Sequence, residues 1–115
     1  MNVSVAKVTA SELPECLEVI HQSFRTVAEE FGLTQENCPK HTSFIPLYYL
    51  ESQMEWGWHM YALHRGDKII GYMSLSKEEG DGYELHNLAV LPNYRHKGCG
   101  KLLLDHAKEV VKSLG

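Results

Sequence analysis

The sequence predicts a single α+β domain, with helices packed on a mostly antiparallel sheet in the order β-α-α-β-β-β-α. Three observations predict it. From His59 to Val90 the apolar residues follow the two-residue period of strands, interrupted by the turn signals Arg65-Gly66-Asp67 and Gly80-Asp81-Gly82. On either side of that region, Leu13, Leu17, Ile20 and Phe24, and then Leu103, Ala107, Val110 and Leu114, recur at helical spacing. The length, 115 residues, suits one hydrophobic core.

The elements follow in order. Residues Asn2 to Thr9 alternate apolar and polar, as a short strand does. Ser11 is the expected N-cap of the first helix, and Pro14 falls in its first turn, where a missing N–H costs little. That helix should fade near Gly32. Asn37, Pro39 and Pro46 punctuate a loop from Thr34 to Pro46. Leu47 to Met54 reads as a second, short helix, whose Tyr48 and Tyr49 are either packed core or one wall of a substrate pocket. Met60 to His64 and Lys68 to Ser76 form a hairpin, and Tyr83 to Val90 is the third strand of the meander. Pro92 stops further pairing. From Gly98 on, an amphipathic helix presents the stripe beginning at Leu103, widened by Cys99, Leu102 and His106, with Gly115 as its terminating residue.

Composition excludes several classes. A formal net charge of −4 argues against nucleic acid as the main ligand. No apolar run approaches the roughly 18 residues of a membrane span. MNVSVAKVTASELPE lacks the basic-then-apolar pattern of a secretory signal, so a cytoplasmic protein is expected. Cys16, Cys38 and Cys99 are odd in number and far apart, which predicts reduced thiols. The histidines form no His-x-x-x-His pattern, and no metal is expected.

The stretch LAVLPNYRHKGCGK, from Leu88 to Lys101, carries the chemistry. The first N–H groups of a helix lack intrahelical partners, and the helix dipole adds partial positive charge there. Gly98 and Gly100 remove side chains that would keep a ligand from those groups, and Arg95, His96, Lys97 and Lys101 add basic character. Such a turn suits a phosphate or diphosphate held by backbone amides. The plain alternative is a glycine-bearing helix start that touches no ligand. The spacing is neither the dinucleotide fingerprint nor the P-loop.

The whole run from Tyr83 to Leu103 resembles the acetyl-CoA-binding motif of the GNAT N-acetyltransferases: a Leu-Ala-Val strand end, a Pro, Arg-x-x-Gly-x-Gly, then a Leu-Leu pair. The resemblance implies the GNAT fold and transfer of an acetyl group from acetyl-CoA to a primary amine of a small molecule or peptide. It implies that Arg95, His96, Lys97, Gly98, Cys99, Gly100 and Lys101 bind the diphosphate, mostly through N–H groups, with Arg95 alternatively orienting the turn. The pantetheine arm would pair with Leu88, Ala89 and Val90, and a backbone N–H at Leu88 or Ala89 would face the thioester oxygen. Glu84 is the first candidate base and His86 the second. Strand alternation places both on one face with Leu88 and Val90. A solvated carboxylate and a packing histidine are the structural alternatives. Cys99 is assigned no catalytic role, because the family transfers the acetyl group directly.

Family members continue beyond the last helix with a strand, a helix and usually two more strands, which commonly supply an Asn contact and a general-acid Tyr. The chain is therefore expected to be a fragment, or to complete itself with another chain, for instance as a homodimer. A non-catalytic module binding CoA or another phosphate ligand, and an interaction domain, are the alternatives to an enzyme. Trp56, Trp58, Tyr48 and Tyr49 are candidates to line an acceptor pocket.

Overall fold

The computed structural model describes residues 2–38, 41–80 and 82–114. Four strands, β1 (Ser4–Lys7), β2 (His59–Arg65), β3 (Lys68–Lys77) and β4 (Tyr83–Val90), pair antiparallel in sequence order. Helices α1 (Leu13–Glu30) and α2 (Leu47–Glu55) lie between β1 and β2 in the chain, and α3 (Cys99–Leu114) follows β4. The expected α+β order is observed. Pro39, the Asp81 turn residue and the terminating Gly115 lie outside the described residues.

The entry to α1 is set by Thr9 rather than Ser11. A 3₁₀ turn at Ala10–Glu12 precedes the helix, and the Glu12 carboxylate accepts the Thr9 N–H at 2.8 Å and its hydroxyl at 3.0 Å. The Thr9 backbone bond first, then its hydroxyl and the charge of His64, hold the Glu12 carboxyl below its usual range against the opposing effect of burial. The buried face of α1 is also rotated from the expected stripe. It runs through Leu13, Cys16, Val19, Ile20 and Ser23, while Leu17 and Phe24 are half-buried. An apolar periodicity passes over Ser23 because its hydroxyl has a partner on the sheet.

Paired residues share a face of the sheet, so the register sorts the side chains. Met60, Ala62, Tyr72, Ser74 and Ser76 face one way. Leu63, Gly71, Met73 and Leu75 face α3. At Gly71 the helix comes so close that an added Cβ would meet the Leu103 side chain at 3.1 Å and the Ala89 carbonyl oxygen at 3.2 Å. Cys99, Leu103 and Ala107 are the buried line of α3. Leu102 and Leu114, expected on that line, are exposed, since α3 packs on β3 and β4 along a narrow strip.

In β4 the expected alternation fails. Ser74 pairs with His86 but Tyr72 pairs with Ala89, so Asn87 and Leu88 together oppose Met73. This is a β-bulge, with Asn87 at φ +54°. Ala89, rather than Leu88 or Val90, therefore continues the face of Glu84 and His86.

Candidate functional site

The glycine-bearing turn is built from β4 outward. Leu91 N–H still bonds Ile70 at 2.9 Å, and a 3₁₀ turn at Pro92–Tyr94 ends the pairing. Tyr94 is held from the β2–β3 hairpin: Arg65 donates to its hydroxyl at 3.2 Å, and Lys68 stands 5.8 Å from the ring centroid. Arg95 turns toward α1, donating to the Ser23 carbonyl and to Thr26 Oγ1 at 3.4 Å. These bonds tie the turn to α1. His96 and Gly98 then adopt left-handed backbone, φ +62° and +80°.

What this geometry leaves is a run of main-chain N–H groups at the start of α3. Gly98 C=O accepts the first helical bond, from Leu102 N–H at 3.0 Å. A Cβ added to Gly100 would meet nothing within 4 Å, so the space beside Gly100 is open. His96, Lys97 and Gly98 are exposed, whereas Cys99 is 1 % exposed and packs into the core. Lys101 pairs with Asp105 at 2.8 Å, which raises the Lys101 ammonium and lowers the Asp105 carboxyl relative to their ordinary values. The residues fit a diphosphate: main-chain amides at a helix N-terminus, basic surroundings, and open space at Gly100.

Beside the turn, β4 is an edge strand of the sheet. Leu91 N–H points to β3, and Val90 N–H points away from it to Ser23 Oγ at 3.2 Å. Leu88, one of the two bulge residues, adjoins this edge. Ser23 thus accepts from β4 through its hydroxyl and from Arg95 through its carbonyl. The sequence reading missed it. The available signal was a lone polar residue on the buried face of α1.

Glu84 and His86 are brought together on the face opposite α3. His86 Nε2 lies 2.8 Å from Ser76 Oγ and 3.7 Å from Glu84 Oε2. The Trp58 ring stacks on the imidazole, centroids 4.5 Å apart and planes at 25°. Glu84 also sits beside Glu78, whose carboxyl its hydrogen bond and charge push up.

Trp56 lies 6.1 Å from Trp58 and, with Tyr48, Tyr49, Ser52 and Gln53, lines a groove of about 370 Å³ along α2. Tyr48 is 61 % exposed, which settles the earlier alternative against packed core. Gln53 Oε1 is buried without a partner. Among the described residues there is no cluster of three or more metal-ligating side chains, and no helix long and apolar enough to cross a membrane.

The fold is thus an α+β domain in which a glycine-bearing turn joins a bulged edge strand to a helix N-terminus. The chain belongs to the Acetyltransferase (GNAT) family, whose family model matches residues 21–115. Over 51 residues it is 45 % identical to the histone acetyltransferase esa-1 of Neurospora crassa, covering 44 % of this chain and 10 % of that protein. The chain thus spans about a tenth of the length of the curated relatives it matches. Its backbone is similar to the PaiA N-acetyltransferase from Thermoplasma acidophilum in complex with coenzyme A. The TM-score is 0.78 and the identity 23 %, over all of this chain and 75 % of that one. It is also similar to a GNAT family acetyltransferase from Brucella melitensis in complex with acetyl-CoA. There the TM-score is 0.79 and the identity 16 %, over 99 % of this chain and 71 % of that one.

Proposed function

We propose that the protein is an acetyl-CoA-dependent N-acetyltransferase acting on a primary amine. The observation that carries this is the run of main-chain N–H groups from His96 to Lys101 at the start of α3, open to approach at Gly100, in a chain of the GNAT family. Those amides hold the diphosphate of the cofactor, with Lys97 adding charge at the rim. Leu88, Ala89 and Val90 form the edge along which the cofactor's amide-bearing arm lies. When bound, acetyl-CoA supplies the activated acetyl group.

The Leu88 N–H is the donor assigned to the developing oxyanion, and losing such a donor costs about 3 kcal/mol. The acceptor must be attacked as a neutral amine, although a lysine-like amine has an ordinary pKa near 10.4, so a base is required. Glu84 and His86 stand on one face at the bulge and are the two groups for that task.

The acceptor amine enters over the Trp56, Trp58 and Tyr49 rings, whose faces suit a cationic or flat substrate. The partial match to histone acetyltransferases supports a peptide amine, and the groove volume supports a small one. Thiol release from acetyl-CoA, measured against polyamines, aromatic amines, aminoglycosides and lysine peptides, tests the reading. Amine-dependent release supports it. CoA binding without release from any acceptor would make the protein a binding module instead.

A further inference from the structure

We propose that Nδ1 of His86 is the atom that takes the proton from the acceptor, and that Glu84, Ser76 and Trp58 are positioning residues that fix its tautomer and ring plane. The inference rests on the acetyltransferase reading above and decides between its two candidate bases.

The register of the sheet creates the arrangement. Ser76 pairs with Glu84 and Ser74 with His86, so the Ser76 and Glu84 side chains flank the imidazole on one face. Both reach the same ring nitrogen: Nε2 is 2.8 Å from Ser76 Oγ and 3.7 Å from Glu84 Oε2. An ionised carboxylate only accepts hydrogen bonds, whereas a hydroxyl donates or accepts. A proton on Nε2 bonds Ser76 Oγ and faces the Glu84 carboxylate. A bare Nε2 would set its lone pair against the carboxylate. The Nε2–H tautomer is therefore favoured, and the lone pair is left on Nδ1.

Nδ1 has no hydrogen-bond partner among the described residues, and the imidazole side chain keeps 25 % of its surface exposed. Trp58 covers one face of the ring, so rotation that would exchange the two nitrogens must break the stack. Glu84 is the poorer base on the same geometry. Its side chain is 57 % exposed, and imidazoles as a class titrate nearer neutral pH than carboxylates. Its charge instead steadies the imidazolium that forms.

The proton count closes. An ammonium acceptor first gives one proton to Nδ1, which passes it to solvent and is free again. The neutral nitrogen's lone pair then bonds to the acetyl carbonyl carbon while one N–H proton passes to Nδ1. The C–S bond breaks with its electron pair on sulfur, and the thiolate takes a proton, directly or through solvent, as the imidazolium gives one up. The products are the amide and free CoA thiol.

Long-range ¹H–¹⁵N spectra of histidine-labelled protein at alkaline pH read the tautomer directly. The expected result is one His86 species, protonated at Nε2, that becomes an exchanging mixture in the Ser76→Ala/Glu84→Ala double variant. An Nδ1–H species in the wild type, or a tautomer the double variant leaves unchanged, overturns the proposal. Turnover gives the second arm, with spermidine, phenethylamine and a lysine peptide as acceptors, and thiol release by water where none is accepted. His86→Gln should lower kcat by about 10²- to 10⁴-fold with the CoA Kd within twofold of wild type. Trp58→Leu should lower kcat without raising the CoA Kd, and Trp58→Phe should restore it. Wild-type kcat in His86→Gln defeats this assignment alone, whereas a wild type that binds no CoA defeats the acetyltransferase reading beneath it.

Discussion

The Trp58 indole lies on the His86 imidazole because α2 ends where it does. Gly57, at φ +83°, bonds Met54 C=O at 3.1 Å, and the Trp58 N–H bonds Gln53 C=O at 3.0 Å. These two bonds are a Schellman termination, which needs a residue tolerant of left-handed backbone at the first position. Gly57→Ala is expected to cost about 1 kcal/mol in urea unfolding, and to loosen the stack enough to lower kcat. An unchanged midpoint and rate would detach the helix end from the site.

Gly71 answers to packing rather than to backbone freedom. Its missing Cβ makes room for Leu103, Ala89 and Leu63, all 3.1–3.2 Å from where that atom would stand. Gly71→Ala overpacks the seam between α3 and the sheet, for an expected loss of about 1–3 kcal/mol in urea unfolding. The same shift would tilt the α3 N-terminus and weaken CoA binding.

How much of this was legible depended on range. The meander and α3 announced themselves through local periodicity, and the glycine turn through residue types that are rare together. The bulge did not, because nothing in Asn87-Leu88-Ala89 reveals that Tyr72 pairs with Ala89 while Ser74 pairs with His86. Ser23 and Arg95 meet across 72 residues, and Trp58 and His86 across the whole hairpin region, so neither contact is encoded in a window. The misplaced cap is a different failure. Ser11 is a good capping residue, but Thr9 and Glu12 together satisfy more of the chain's donors.

The thiols should separate cleanly. Burial, with the charges of Glu12 and Glu15, pushes the Cys16 thiol up to about 12, and Cys99 is enclosed by the core. Cys38 is half-buried. In native protein a disulfide thiol reagent is expected to label Cys38 first, with Cys16 and Cys99 reacting only on unfolding. Fast native labelling of Cys99 would contradict its core position and reopen a role for its thiol at the turn.

Glu12 gives a pH dependence with a definite sign. Its folded pKa is lowered by the Thr9 N–H, so its contribution is complete above the ordinary glutamate value of about 4.3 and is lost as pH falls through the lowered value. Glu12→Gln should therefore melt below wild type at neutral pH, with the gap closing toward strongly acidic pH. A gap that is constant across that range would remove the charge from the explanation.

The most direct measurement is calorimetric titration of CoA into wild type and Gly100→Glu, with pantetheine as the ligand lacking a diphosphate. A Cβ at Gly100 meets nothing in the protein, so the variant should fold normally. Wild type is expected to bind CoA well and pantetheine weakly, and the variant to lose CoA affinity at least tenfold. Equal CoA affinity in the two proteins, or equal affinity of wild type for both ligands, would mean that the amides from His96 to Lys101 do not hold the diphosphate.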